Sequence, residues 1–178
     1  EKYIDKDFEG VTFRPATVCG FASRLRLDLT VNILTNHAVN NNIIKVFGGN
    51  QLRPNLHIQD YCDAVELLIE APVEKINKEK FNVGYQNLSI SQIAKIVKKV
   101  VMKEFPEKEE IDIITTSSND NRSYHINSDK IKEKLGFIPR FTVEDAVRDL
   151  CDAFKNNLID NGFENDIYHN VKRFKSLE

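Results

Sequence analysis

The chain has 178 residues, 41% hydrophobic and 29% charged, with a net charge of −2. That composition excludes a disordered tail or a fibre, and the charge gives no electrostatic reason to expect a nucleic acid or an anionic membrane as partner. Apolar runs stop far short of the roughly 20 residues a membrane span needs, and the sequence reads as one without a secretory leader. Cys19, Cys62 and Cys151 lie far apart without CxxC spacing. They are expected to be reduced, buried thiols in a cytoplasmic setting.

In chain order, Glu1–Gly10 reads as the last turns of a helix entered midway and closed by Gly10. The β-branched run Val11–Cys19 predicts a strand running into a loop at Gly20. Asp28 is placed to cap a helix through about Asn40, with Leu29, Ile33, Leu34 and Ala38 at helical spacing. Short strands are expected at Ile43–Phe47, broken by Gly48-Gly49-Asn50, and at Asn55–Ile58. Asp60 then starts a helix through Glu70 that Pro72 stops, before a strand at Lys80–Val83. Ser89-Ile-Ser-Gln92 has capping-box form and opens a helix whose stripe is Ile93, Ile96, Val97, Val100 and Val101. A strand at Ile111–Thr115 and a polar loop Ser117–His125 follow. Ser128 caps a short helix ended by Gly136, and Thr142 with Asp145 caps the last long helix, whose stripe is Ala146, Val147, Leu150, Cys151 and Phe154. Strands and helices alternate, so the class is α/β.

Several chemistries find no support in the residues. None of the seven glycines forms a dinucleotide fingerprint, and no Gly-Lys-Ser/Thr is present to cradle a phosphate. His57 and Asp60 stand three apart across a strand–helix junction, too few ligands for a tetrahedral metal site. Tyr168 and Lys172 fit Tyr-x-x-x-Lys, in which an ammonium one helical turn away favours the phenolate. That match lies in a polar tail after Gly162 with no pocket-forming elements following, and reads as coincidence. Arg53 is more promising: it follows a strand and a Gly-Gly turn, where a guanidinium can grip a phosphate bidentately.

The run Phe13-Arg-Pro-Ala-Thr-Val-Cys-Gly20 combines with Val46-Phe-Gly-Gly-Asn-Gln-Leu-Arg-Pro-Asn-Leu-His-Ile-Gln-Asp60 and Phe81-Asn-Val-Gly84. Ser89-Ile-Ser-Gln-Ile-Ala94, Asn121-Arg-Ser-Tyr124 and Lys134-Leu-Gly-Phe-Ile-Pro139 follow in order. Together, from Val11 to about Phe154, they resemble the C-terminal half of the extended short-chain dehydrogenase/reductase family, the NAD-dependent nucleotide-sugar epimerases and dehydratases. The fold this implies is the last strands of a Rossmann-like parallel sheet plus a small α/β substrate-binding domain. Residues 1–27 would carry the end of the catalytic helix, a late Rossmann strand and the nicotinamide loop. Residues 28–59 would be a substrate-domain insertion, 60–84 the crossover helix and last Rossmann strand, 85–160 the substrate-binding domain and 161–178 a tail. Strands Val11–Cys19 and Lys80–Val83 would pair in parallel, with an edge left exposed.

The resemblance places Pro15, Ala16, Thr17 and Val18 against the nicotinamide of NAD or NADP. It places Arg53 and Arg122 on the diphosphate of a nucleotide sugar, Phe47 on the base, Lys45 and Val46 with backbone groups at the base edge, and Asn32 on the nucleotide. A surface salt bridge is the alternative for each arginine, core burial for Phe47, and an exposed helix position for Asn32. Cys19, Asn55 and Thr17 depart from residues usual in the family and leave the sugar open. The Gly-rich loop and the catalytic Tyr-x-x-x-Lys helix would precede Glu1. The chain by itself is therefore expected neither to hold the cofactor tightly nor to turn over a sugar nucleotide, and to self-associate, whereas the whole protein would be a homodimeric enzyme. A binding module that grips nucleotide sugars without chemistry is the rival reading.

Overall fold

The computed structural model describes residues 8–118 and 122–177; the expected helix tail at Glu1–Ile4 and Asn121 of the Asn121–Tyr124 motif fall outside them. The elements are β1 (Thr12–Pro15), β2 (Thr17–Cys19), α1 (Thr30–Asn41), β3 (Ile43–Phe47), β4 (Leu52–His57), α2 (Ile58–Glu70), α3 (Val73–Ile76) and β5 (Lys80–Val83). They continue with β6 (Gln86–Ser89), α4 (Ile90–Glu104), β7 (Asp112–Thr116), α5 (Asp129–Leu135), α6 (Val143–Lys155) and α7 (Asn170–Lys175). Among the described residues no helix is long and apolar enough to cross a membrane.

Three small sheets form a mixed α/β architecture. β1 and β5 pair in parallel from Thr12 opposite Lys80 to Pro15 opposite Val83, as the sequence predicts. β1 has β5 as its strand partner, and its other edge has none among the described residues. The predicted strand Val11–Cys19 is two strands rather than one. Pro15 has no N–H to continue a ladder; the Ala16 amide still reaches the Val83 carbonyl at 2.7 Å, and from Thr17 the chain pairs with β4 instead. β4 also pairs antiparallel with β6, while β3 and β7 form a separate parallel pair.

Two large apolar clusters hold these layers. Ala64 and Leu68 of α2 pack with Leu56, Phe81, Val83, Ile131 and Phe137 beside the β1–β5 pair. Val31, Leu34 and Ala38 of α1 meet Ile93, Val97 and Val101 of α4 and Ala146, Val147 and Cys151 of α6 behind Ile44 and Val46 of β3. The stripes predicted for α4 and α6 are those that are buried, with Ile96 and Phe154 half-buried at their margins.

Both predicted capping boxes form. Ser89 Oγ accepts from the Gln92 amide and Gln92 Oε1 from the Ser89 amide, and Thr142 and Asp145 do the same at α6. Such reciprocal bonds satisfy donors that a helix start otherwise leaves orphaned. Three other expected caps are used differently. Leu29, not Asp28, is the N-cap of α1; the Asp28 carboxylate is held by Arg26 at 2.9 and 3.0 Å. α2 starts two residues before Asp60, with His57 Nδ1 accepting from the Gln59 amide. Ser128 Oγ accepts from the Gly84 amide at 2.8 Å and donates to the Gly84 carbonyl at 3.0 Å, tying α5 to the end of β5.

The polar tail is also corrected. Tyr168 ends a 3₁₀ turn, Asp166–Tyr168, and is buried with Leu25, Leu27, Leu150, Ala153 and Ile159. Its carbonyl accepts from the Leu27 amide at 2.9 Å. Lys172, in α7, donates to the Phe163 carbonyl, so the Tyr168/Lys172 spacing makes no catalytic pair.

Candidate functional site

The C-terminal ends of the parallel strands β1 and β5, the position at which open α/β sheets bind ligands, lead into a cavity of about 840 Å³. Pro15, Ala16, Thr17 and Val18 form one wall of it. The loop after β2 supplies Arg24 and Arg26, and Tyr124, His125 and Ile126 close the far side over Pro54 and Ile58. Gly84 lies beneath: a Cβ there would meet Ile126 at 2.2 Å and Ala16 at 3.0 Å, so close packing of the wall depends on glycine.

The side chain of Arg53 reaches the backbone of Arg122. Arg53 Nη1 donates to the Leu52 carbonyl at 2.9 Å and to the Arg122 carbonyl at 2.5 Å, across 69 positions of chain. Ser123 Oγ accepts from the Leu52 amide at 2.9 Å, and the Arg53 guanidinium lies 5.4 Å from the Tyr124 ring centre. This zips residues 122–124 onto the start of β4 and stacks a cation on an aromatic face at the cavity rim.

Phe47 is 59% exposed, which removes core burial as its role. Alternation along β3 buries Ile44 and Val46 and turns Lys45 and Phe47 outward. These two line a second cavity of about 310 Å³ with Asp28, Thr30, His37 and Ile90. Val46 therefore has only its backbone to offer, and β3 pairs with β7 as its one described strand neighbour. Asn32, expected on the nucleotide, is 3% exposed. Its Oδ1 accepts from the Gly20 amide at 3.1 Å and its Nδ2 donates to the Arg26 carbonyl at 2.8 Å. These bonds give it a holding role for the loop that carries Arg24 and Arg26.

Those two arginines, His125 and His37 were not singled out in the sequence. Arg24 is braced from the tail, by the Ile167 carbonyl and Asn170 Oδ1, both at 2.9 Å. The basic pair Arg24-Leu-Arg26 in a loop straight after a strand was the available signal. His57 and Asp60 do not share a ligand site. His57 Nε2 lies 3.0 Å from Asp149 Oδ2 and its ring stacks on Phe141, while Asp60 accepts from the Arg140 and Phe141 amides. No group of His, Cys, Asp and Glu suited to a metal ion occurs among the described residues.

Cys19, at the end of β2, is pushed up to about 12 by burial, with Asp149 and Asp60 adding to it. Burial likewise pushes Cys151 to about 12, with Glu104 contributing. Cys62 is exposed, contrary to the expectation of three buried thiols. Since the thiolate is the reactive form, iodoacetamide at pH 8 is expected to add one carboxamidomethyl group to the native chain, at Cys62. Peptide mass spectrometry checks this; labelling of Cys19 at a comparable rate contradicts it.

Residues 1–84 match the model of the NAD dependent epimerase/dehydratase family. The dTDP-glucose 4,6-dehydratase of Escherichia coli is 25% identical over 127 residues, 68% of this chain and 34% of that protein. That of Xanthomonas campestris pv. campestris is 27% identical over 122 residues, again covering 34% of its length. The chain thus spans about a third of the curated relatives it matches. The fold is shared with UDP-glucose 4-epimerase of Thermotoga maritima with UDP-glucose, at a TM-score of 0.68 and 22% identity over 86% of this chain and 48% of that one. It is shared too with UDP-glucuronic acid 4-epimerase of Bacillus cereus, in complex with UDP-glucuronic acid and NAD, at 0.67 and 21% over 83% and 45%.

Proposed function

We propose, from the match of residues 1–84 to the NAD dependent epimerase/dehydratase family, that this chain is the substrate-binding part of a nucleotide-sugar epimerase or dehydratase. The observation that supports this best is a convergence. Residues 15–18 and 124–126 line one cavity at the strand ends, and Arg53 is bonded to the loop that carries them.

Arg53 binds the diphosphate, since a fixed guanidinium fork matches two phosphate oxygens and Tyr124 holds its plane. Arg122 approaches the same anion from the facing loop. Phe47 stacks on the base, and Lys45 and Val46 present backbone groups to its edge. Asn32 fixes the Gly20–Arg26 loop. Pro15, Ala16, Thr17 and Val18 fit the nicotinamide end of NAD: they form a largely apolar wall where the end of β1 passes into the start of β2. NAD, when bound, supplies the hydride acceptor for oxidation of a sugar carbon. The chain's own share is to position the sugar over that wall and to keep water from it.

Calorimetric titration of the chain with UDP tests the reading. Arg53→Ala is expected to weaken binding about 10- to 100-fold, the worth of one or two charge-assisted hydrogen bonds. Arg53→Lys should recover only part of it, because an ammonium cannot reproduce the fork. An unchanged affinity in Arg53→Ala would sink the proposal.

A further inference from the structure

We infer that His37 reads the edge of the nucleobase in the cavity between α1 and β3, selecting bases that present a carbonyl oxygen there; the inference rests on the nucleotide reading above. Phe47 exposes an apolar ring at the mouth of this cavity, with Lys45 beside it on the same face of β3. An exposed aromatic ring next to a cation is a stacking platform for a planar heterocycle and by itself accepts any base. Choice among bases needs a polar group of fixed donor or acceptor character on the opposite wall.

His37 on α1 is that group. Its ring is held on two sides: the Phe163 ring packs on it at 4.8 Å, and the Asn41 side-chain amide lies 3.3 Å from Nδ1. With Nδ1 accepting from Asn41, the neutral ring carries its proton on Nε2. Burial, then the neighbouring Lys45, hold its pKa below the usual histidine value, so the neutral form with this single donor persists at neutral pH. The cavity thus meets a ligand with a fixed N–H. A donor at that position pairs with the oxo group of uracil and opposes the amino group that cytosine carries at the same ring position. The unfavourable donor–donor pairing supplies discrimination that stacking cannot.

UDP and CDP share ribose and diphosphate and differ at that edge, so titration of the full chain with each isolates the base. UDP is expected to bind about 10-fold more tightly than CDP, and His37→Ala should weaken UDP about 10-fold while leaving CDP nearly unchanged. Arg53→Ala should weaken both alike. Equal affinities for UDP and CDP, or a His37→Ala chain that binds UDP as before, overturn the role of His37 while the diphosphate reading stands. No binding of either nucleotide overturns both. If His37→Ala fails to fold, as judged by circular dichroism, the imidazole resonances of the wild-type chain decide. UDP, but not inorganic diphosphate, should shift those of His37, and the absence of that shift overturns the inference.

Discussion

Asp60→Ala is expected to destabilise the chain by about 3–5 kcal/mol. Asp60 is wholly buried, and its two carboxylate oxygens accept from the Arg140 and Phe141 amides at 2.9 and 3.0 Å. Alanine removes two charge-assisted bonds and leaves two backbone donors without partners in an apolar setting. Each such bond contributes on the order of 1.5–3 kcal/mol, a figure that already includes most of the cost of the donor left stranded. The sum is a large fraction of the roughly 5–15 kcal/mol that holds an ordinary domain together. Urea unfolding should show a lower midpoint at an unchanged slope. Asp60→Asn keeps one acceptor oxygen and should lose about half as much. A loss below about 1 kcal/mol in Asp60→Ala would show that residues 140–141 are held by something else.

Phe81→Ala should be of similar size for a different reason. Phe81 sits opposite Phe13 in the β1–β5 register, is fully buried, and packs with Ala16, Val83, Ile131 and Phe137. Truncating a buried phenylalanine costs about 3–5 kcal/mol, through lost transfer energy and the void left behind. Ala16 belongs to the same apolar cluster, so the wall at residues 15–18 should lose its order together with the loss of stability. Phe81→Leu, which fills most of the space, should retain both. A Phe81→Ala chain with wild-type unfolding midpoint would mean that the β1–β5 pair is not the core it looks to be.

Much of this was legible in the sequence where the determinant is local. Lys80–Val83 is bounded by its own turn signals, and the capping boxes at Ser89 and Thr142 need only residues three apart. What stayed hidden was set by partners distant in the chain. Gln86-Asn-Leu-Ser89 has little strand propensity and is a strand because β4 lies beside it. Asp28 has the chemistry of a cap, but Arg26 and the Asn170 amide compete for its carboxylate. Tyr168 looked exposed in a polar stretch, and Leu25 and Leu27, some 140 positions earlier, gave it a place to be buried. The candidate site divides in the same way. Arg53 and Phe47 stand in recognisable runs, whereas His37 was one of four histidines until folding brought it opposite Lys45.

The handover at Ala16 has a mechanical side. Pro15 belongs to one hydrogen-bonded sheet and Thr17 to another; the two are joined at Ala16, whose amide still holds the Val83 carbonyl, and again at Tyr85, whose amide holds the Asn55 carbonyl. The wall at residues 15–18 is therefore a seam between two plates rather than a face of either. A strand inside one sheet shifts only by breaking ladder bonds, and its neighbours resist in concert. A seam shifts by rotation at its two crossings, Ala16 and Tyr85, with both ladders intact. What lies against Pro15 and what lies against Val18 press on different plates, and each sets the angle the other meets.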